Sequence, residues 1–129
     1  MVPVSVKGVV FVEGKVLLLK NEREEWELPG GKLEPDEEPE ACCRREILEE
    51  TAFQVRSTKL LDAWLYRLAP EGQVLILTYG CAPLGAGEIA ISHEHLAGAL
   101  FPLEEIARLR MPDGYRRSID RWRGELGLG

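Results

Sequence analysis

The chain of 129 residues is 45% hydrophobic and has three residues each of Trp, Tyr and Phe. This composition supplies one hydrophobic core and excludes a disordered, collagen-like or mucin-like protein. The formal net charge of −6 argues against sequence-independent binding to duplex DNA, because phosphate neutralisation requires a surplus of Lys and Arg. We therefore expect a single domain over residues 1–129.

Two apolar stretches near the start of the chain predict a β-hairpin. Residues 4–12 and 15–20 are rich in Val and Leu, and Glu13-Gly14 between them suits a tight turn with positive φ. After a charged connector, Trp26-Glu27-Leu28 alternates in polarity before Pro29-Gly30-Gly31. Since two glycines allow backbone conformations closed to other residues, we expect a sharply turned or functional backbone there.

A helix is predicted from about Glu38 to about Ala52. Pro39 fits the first turn of this helix, because the N–H that proline lacks has no partner at that position. A one-sided apolar stripe should pack the helix on a sheet. The members of the stripe are Ala41, Cys43, Ile47, Leu48 and Ala52.

The second half of the chain begins with further strand patterns. Residues 53–55 and 60–68 are strand-like, and residues 73–81 follow a turn, which indicates a long antiparallel hairpin. Shorter strand candidates lie at residues 88–91 and 99–102.

Helical patterns close the chain. Residues 103–109 have helical spacing, and Pro112-Asp113-Gly114 interrupts the chain before an Arg-rich helix over residues 115–126. We expect one side of that helix to be formed by Ile119, Trp122 and Leu126. The order of elements predicts an α/β fold, a mixed sheet with helices on its faces.

The charge is distributed unevenly. Residues 34–50 hold eight carboxylates against two arginines, a net charge of −6 that equals the charge of the whole chain. Residues 108–123 hold six arginines against two aspartates. One acidic segment and one basic segment therefore coexist.

Cysteine usage and the first residues indicate a compartment. Three cysteines, two of them adjacent at Cys42 and Cys43, imply no disulfide framework. Met1-Val2-Pro3-Val4 lacks the basic start and apolar stretch of a signal peptide, and no apolar run approaches the ~20 residues that span a bilayer. We expect a reduced, soluble, cytoplasmic protein without membrane association.

Three glutamates of the predicted helix form a cluster of carboxylates. Glu46, Glu49 and Glu50 lie at i, i+3 and i+4, so their carboxylates share one face and repel one another. Such a cluster favours a compensating cation, and oxygen-only ligands select hard ions such as Mg²⁺ or Mn²⁺. The alternative is an ordinary solvated acidic face.

The residues around these glutamates resemble the Nudix box, Gly-x5-Glu-x7-Arg-Glu-U-x-Glu-Glu-x-Gly-U, in which U is a bulky apolar residue. The pattern occupies residues 31–53. Its matching positions are Gly31, Glu37, Arg45, Glu46, Glu49 and Glu50, and Phe53 fills the last apolar position. Ala52 stands where the family has Gly, which makes a left-handed end of the helix costlier and changes how the last turn is expected to end, but removes no ligand.

The resemblance implies the Nudix fold, an α/β/α sandwich, and a site for a divalent metal and a substrate diphosphate. Carried over by position, Glu46, Glu49 and Glu50 would be metal ligands together with a backbone carbonyl of Gly30 or Gly31. Arg45 would orient a helix carboxylate. Glu37 would brace the loop by a salt bridge to the helix, or would merely cap it.

The resemblance also implies that water attacks a phosphorus atom of the diphosphate and that a carboxylate takes the proton. In the family this base is either the box glutamate that matches Glu46 or a glutamate of a later loop, for which Glu94 is the candidate. Glu94 would also serve as an additional metal ligand. His93 and His95 are interpreted as polar loop residues rather than zinc ligands, and Cys42 and Cys43 as packing residues.

The implied substrate is a small nucleotide. A (deoxy)nucleoside triphosphate is favoured by the short chain, and a nucleoside diphosphate sugar of the ADP-ribose type is the alternative. Capped or triphosphorylated RNA is disfavoured by the lack of a strong basic surface. A nucleotide sensor without turnover would be favoured by loss of a box carboxylate, and none is lost. The resemblance also allows a homodimer.

Other candidate contacts lie outside the box. Arg116, Arg117 and Arg121 could meet a phosphate, although ordinary surface pairing is favoured. Trp64 and Tyr66 share one face of a strand, and either stack a base or pack in the core. Trp26 has the same two alternative roles, stacking on a base or packing in the core.

Overall fold

The computed structural model describes residues 2–68, 72–85 and 97–128. The described residues form seven strands and two α-helices. The strands are β1 (Val4–Val12), β2 (Lys15–Lys20), β3 (Trp26–Glu27), β4 (Gly30–Lys32), β5 (Val55–Arg67), β6 (Gln73–Pro83) and β7 (Ala97–Pro102). The helices are α1 (Pro39–Thr51) and α2 (Asp113–Glu125), and a 3₁₀ helix covers Leu103–Arg108.

The strands form a mixed sheet, as the sequence predicts, and β1 is at its centre. Strand β1 runs parallel to β6, pairing Val4 with Leu75 and Val10 with Cys81. Its end pairs antiparallel with β2 across the Glu13-Gly14 turn, where both residues have positive φ. The order of the main path is β3-β2-β1-β6-β5, with β4 also on β1 and β7 also on β2.

The helices cover opposite faces of the sheet and give an α/β/α sandwich. Helix α1 packs Cys42, Cys43 and Ile47 on a core cluster with Val6 and Val10 of β1. Helix α2 packs on a second cluster, to which it contributes Tyr115, Ile119 and Trp122. Because side chains alternate along a strand, β1 supplies both cores.

Two of the predicted apolar stripes are corrected. Leu48 of α1 is 45% exposed and Ala52 is exposed, whereas Cys42 is fully buried. Leu126 follows α2 and is 47% exposed, although Ile119 and Trp122 are buried as expected. Spacing along a helix identifies a broad face, but the contact with the sheet decides which part of that face is buried.

Several boundaries also differ from the sequence prediction. Gly30 and Gly31 form strand β4 and not a turn, and pair with Lys7 and Val6 of β1. The segments predicted as two strands at 53–55 and 60–68 are one strand, β5, with two irregularities in its pairing. Helix α2 starts at Asp113, inside the predicted break, with Pro112 at its N-cap.

Strand β4 requires glycine at Gly30. Its φ is +142°, and a Cβ there would lie 2.1 Å from the carbonyl oxygen of Val6. The two backbones can approach this closely only without a side chain. The paired glycines bring the segment before α1 against β1.

Helix α1 ends at Ala52 in the left-handed conformation, with φ 60° and ψ 14°. The N–H of Ala52 donates to the carbonyl of Leu48 at 2.8 Å. The last turn therefore ends in the left-handed cap that glycine usually makes, in spite of the extra cost at alanine, and the expectation that it ends differently is wrong.

We expect Ala52→Gly to stabilise the fold by about 1 kcal/mol, because glycine adopts this conformation without the Cβ clash. Thermal unfolding should show a rise in Tm of roughly 4 °C. Ala41→Gly within the same helix is the control and should lower stability by about 1 kcal/mol. A loss of stability in Ala52→Gly would contradict this account of the cap.

Candidate active site

Arg45 is the centre of the acidic segment. Its Nε and Nη2 donate to the two carboxylate oxygens of Glu37 at 2.6 and 2.9 Å. Its Nη1 donates to Glu46 Oε1 and Glu49 Oε1, each at 2.8 Å. One guanidinium therefore holds the loop before α1 and two carboxylates of α1 in a fixed relation.

The Arg45 contacts favour the interpretation of Glu37 as a brace. Hydrogen bonding to Arg45 lowers the pKa of Glu37 to about 2, and the backbone N–H of Glu34 adds to this shift. The residue at the N-cap of α1 is Glu38, which makes no side-chain cap. Glu37 is thus ionised throughout the neutral range and ties the loop to the helix.

Glu46 lies directly over Gly31. A Cβ at Gly31 would be 2.3 Å from Glu46 Oε2 and 2.5 Å from its carboxyl carbon. The absence of a side chain at Gly31 lets the carboxylate approach the backbone of β4. The box glycine therefore has a steric role that the sequence pattern alone does not reveal.

Glu50 has a different environment from the other two glutamates. It is buried, with 7% of its surface exposed, and its Oε1 accepts a hydrogen bond from the N–H of Gly30 at 2.8 Å. Glu49 is half exposed beside Arg45. Glu50 therefore contacts the backbone of β4, Glu49 contacts Arg45, and Glu46 lies between Arg45 and Gly31.

The donor chemistry fits a divalent cation, since carboxylate and carbonyl oxygens border one short stretch of backbone. Among the described residues, however, no three His, Cys, Asp or Glu side chains are already arranged around a common point. The roles of Glu46, Glu49, Glu50 and Gly31 as metal ligands remain a prediction. Glu94, with His93 and His95, lies outside the described residues, as does the strand candidate at 88–91.

Both cysteines of α1 are buried. The Cys42 thiol donates to the carbonyl oxygens of Gly31 and Lys32 at 3.7 and 3.5 Å, and burial raises its pKa to about 12. Cys43 Sγ lies 3.7 Å from Cys81 Sγ. The environment of Cys42 agrees with a packing role, because a thiol with a raised pKa is a poor nucleophile.

A cavity of about 200 Å³ lies on the α2 side of the sheet. Its aliphatic walls are Val74 and Ile76 of β6 and Leu68, which follows β5. Its polar lining is formed by Ser5, Lys7, Arg23, Glu27, Tyr66 and Tyr115. No sequence motif marks this group, although Lys7 inside the apolar run of β1 is a local signal.

Lys7 joins the cavity to the acidic helix. Its Nζ lies 3.4 Å from the carbonyl oxygen of Gly30 and 3.6 Å from Glu27 Oε2. The N–H of the same Gly30 reaches Glu50. The single residue Gly30 of β4 thus lies between the cavity and the carboxylate of Glu50.

The arginines of α2 pair with acidic side chains, as the sequence favours. Arg117 and Arg121 both approach Asp62 of β5, at 3.6 and 3.4 Å. Arg116 pairs with Asp113 at 2.9 Å and also donates to the carbonyl oxygen of Met111. These contacts give the basic segment a structural role.

The candidate aromatic contacts divide between the core and the cavity. Trp64 packs edge-on against Tyr115, with ring centres 5.2 Å apart, and Trp26 against Phe101 at 4.7 Å. Tyr66 lines the cavity, and its hydroxyl donates to Glu25 at 2.7 Å. Only Tyr66 of the three candidates lines the cavity.

We expect Gly31→Ala to leave the chain folded and to lower activity by roughly tenfold. The new Cβ displaces the carboxylate of Glu46, and small displacements of a positioned group cost about this much or more. A kinetic assay combined with thermal unfolding tests this effect. Gly124→Ala is the control, since a Cβ there has no neighbour within 4 Å. Full activity in Gly31→Ala would show that the close approach is dispensable.

The fold and the carboxylate helix together define an α/β/α domain with an oxygen-rich acidic site. A family described as the NUDIX domain matches residues 1–122. The chain is 37% identical over 108 residues to a MutT-like protein of Streptomyces ambofaciens, covering 82% of this chain and 68% of that protein. It is 51% identical over 37 residues to the 8-oxo-dGTP diphosphatase of Proteus vulgaris, covering 29% and 33%.

A solved structure of similar fold is the MutT protein from Methanosarcina mazei. It superposes with a TM-score of 0.80 at 26% identity and covers 96% of this chain and 94% of that one. The chain belongs to the NUDIX family. It is a hydrolase of phosphorus-containing anhydrides. None of the helices within residues 2–68, 72–85 and 97–128 has both the length and the apolar character to cross a bilayer.

Proposed function

We propose that the chain is a pyrophosphohydrolase that depends on a divalent cation, Mg²⁺ or Mn²⁺, and acts on a (deoxy)nucleoside triphosphate. The observation that carries the proposal is the junction at Gly30. Its N–H meets Glu50 of the acidic helix, and its carbonyl meets Lys7 of the cavity. In the proposed complex the base of the nucleotide occupies the cavity and its phosphates lie at the helix, with Gly30 between them.

The size of the cavity supports a small substrate. A volume of about 200 Å³ is below that of most pockets for whole drug-sized ligands. It suits one ring system, with the charged part of the molecule outside. The acidic segment of residues 34–50, with its net charge of −6, is consistent with the absence of long nucleic acid as a partner.

Glu46, Glu49 and Glu50, with the Gly30 or Gly31 carbonyl, would hold the cation. When bound, such an ion neutralises the diphosphate and lowers the pKa of a coordinated water molecule. Arg45 keeps Glu46 and Glu49 in register, and its contact with Glu37 fixes the loop. Water then attacks one phosphorus atom, and the products are a nucleoside monophosphate and pyrophosphate.

A carboxylate accepts the proton of the attacking water. Glu46 is a candidate by position, because its side chain is 20% exposed and is held between Arg45 and Gly31. Glu94 is the other candidate. Separate Glu46→Gln and Glu94→Gln variants distinguish the two, since removal of the base should cost about 100-fold or more in kcat.

The test of the function is a screen of the purified protein against nucleotides. Nucleoside triphosphates, deoxynucleoside triphosphates and nucleoside diphosphate sugars, including ADP-ribose, are incubated with and without Mg²⁺, and products are identified by mass spectrometry. We expect monophosphate and pyrophosphate from triphosphates only with the metal. Turnover that survives chelation would refute the metal dependence. Exclusive cleavage of ADP-ribose would show that the substrate is a nucleoside diphosphate sugar and not a nucleoside triphosphate. No turnover of any nucleotide would favour a nucleotide sensor.

A further inference from the structure

Lys7 is a buried cation with weak protein contacts. Only 7% of the residue is exposed, and the residue lines the cavity. Its two contacts, 3.4 Å to Gly30 O and 3.6 Å to Glu27 Oε2, are longer than the 2.7–2.9 Å of typical charge-assisted bonds. An ammonium has three N–H donors. Lys7 therefore retains hydrogen-bonding capacity toward the cavity.

The Lys7 side chain lies among hydrogen-bond acceptors. Its Nζ faces the carbonyl oxygen of Gly30 and the carboxylate of Glu27, and both contacts favour the charged form. A protonated lysine can donate but cannot accept a hydrogen bond. A ligand that uses the remaining N–H donors of Lys7 must therefore carry a hydrogen-bond acceptor atom.

The remaining lining of the cavity is also rich in donors. Arg23 contributes a guanidinium, and burial raises the pKa of Tyr115 to about 12, so its phenol keeps its proton. The carboxylate in the lining is that of Glu27, whose Oε1 already accepts from Asn21 Nδ2 at 2.8 Å and whose Oε2 faces Lys7. A ligand atom with a lone pair is better matched to this cavity than an amino group.

We propose that Lys7 Nζ binds a ring carbonyl oxygen of the substrate base and makes the enzyme select oxo-purines over adenine. The inference rests on the proposed function and names the substrate class of that site. Adenine has no carbonyl oxygen. If adenine turns a ring nitrogen toward Lys7, its amino group enters a cavity whose carboxylate is already engaged, and an unpaired buried donor is costly.

The kinetic test compares inosine triphosphate with adenosine triphosphate, which differ at one edge of the base. We expect the wild type to prefer inosine triphosphate in kcat/KM by about 10- to 100-fold. Lys7→Met should reduce this preference to within about threefold by weakening the inosine reaction alone. Equal losses for both nucleotides would overturn the proposal, because Lys7 would then act through Gly30 or the phosphates. An unchanged preference would overturn it as well.

A binding test separates this inference from the proposed function. Calorimetric titration with the nucleosides inosine and adenosine, without metal, requires no hydrolysis and no phosphate. We expect inosine to bind about tenfold more tightly than adenosine to the wild type and equally to Lys7→Met. If no nucleotide is hydrolysed but inosine binds more tightly than adenosine, the proposed reaction is refuted and the role of Lys7 in base recognition is supported. If neither nucleoside binds, or both bind equally to the wild type, the role of Lys7 is refuted.

Two further variants guard against a folding defect. Lys7→Met leaves the Glu27 carboxylate without this cation, so the double variant Lys7→Met/Glu27→Gln removes both charges, and it should also lack the preference for inosine. Lys20→Met is the matched control, because Lys20 of β2 lies over the ring of Trp26 and does not line the cavity. A lost preference in Lys20→Met would assign the effect to general charge and refute the specific contact.

Discussion

Glu50→Gln is expected to reduce kcat by about 100-fold or more while the chain stays folded. Glutamine retains an oxygen that can accept the 2.8 Å hydrogen bond from the Gly30 N–H, so the contact between α1 and β4 survives. The variant removes a buried negative charge from the acidic face, and loss of a preorganised charge at a reacting group costs roughly this factor. Steady-state kinetics at saturating Mg²⁺ measures the effect.

The control for this prediction is Glu40→Gln on the same helix. Glu40 is exposed in the first turn of α1, so its variant changes the net charge equally and should keep full activity. Far-ultraviolet circular dichroism checks that both variants are folded. If Glu50→Gln retains wild-type kcat, the assignment of Glu50 to the metal site is wrong.

Elements defined by local signals could be predicted closely from the sequence. The hairpin of β1 and β2 follows from a turn that needs two positive φ angles at Glu13-Gly14. Helix α1 follows from Pro39 and from the end of the apolar pattern at Ala52. In both cases the residues that fix the boundary lie within the element or beside it.

Elements defined by distant partners were harder to predict. Strand β4 has two glycines in three residues, a composition typical of turns, and it forms because β1 pairs with it. Strand β5 continues through polar residues because β6 pairs along its length. The exposure of Leu48 likewise depends on where α1 meets the sheet. Single-sequence patterns do not contain these partners.

The candidate site shows the same division. The resemblance to the Nudix box implied that Arg45 orients a helix carboxylate and that Glu37 braces the loop, and the structure brings Glu37, Arg45 and Glu46 together. The cavity was not predicted, since its polar lining comes from segments as distant in the chain as Lys7 and Tyr115. Only the folded sheet brings a lysine of β1 beside a tyrosine of α2.

Arg45→Met is expected to lower kcat by about 100-fold, and Arg45→Lys by about tenfold. The guanidinium contacts Glu37 with two nitrogens and Glu46 and Glu49 with its Nη1. Lysine keeps the charge but offers a single ammonium that cannot reproduce this planar arrangement. The difference between arginine and lysine therefore measures geometry, and that between lysine and methionine measures charge.

A positioning role for Arg45 also has a signature outside catalysis. Hydrogen bonds from Arg45 lower the pKa of Glu37 from 4.5 to about 2, and in Arg45→Met this pKa should return toward 4.5. A depressed carboxyl pKa stabilises the fold above the unfolded value and loses that effect as the pH falls through the folded value. Wild-type stability should therefore decline between pH 4.5 and pH 2, and Arg45→Met should show less of this decline.

Carboxyl titration by NMR and unfolding at several pH values measure this signature. Arg44→Met is the matched control, because Arg44 is the exposed neighbour of Arg45 on α1 and should leave both kcat and the Glu37 titration unchanged. A purely structural role would reduce stability at neutral pH without separating the lysine and methionine variants in kcat. If the Glu37 pKa stays near 2 in Arg45→Met, another group holds the loop, and Arg45 does not connect it to the helix carboxylates.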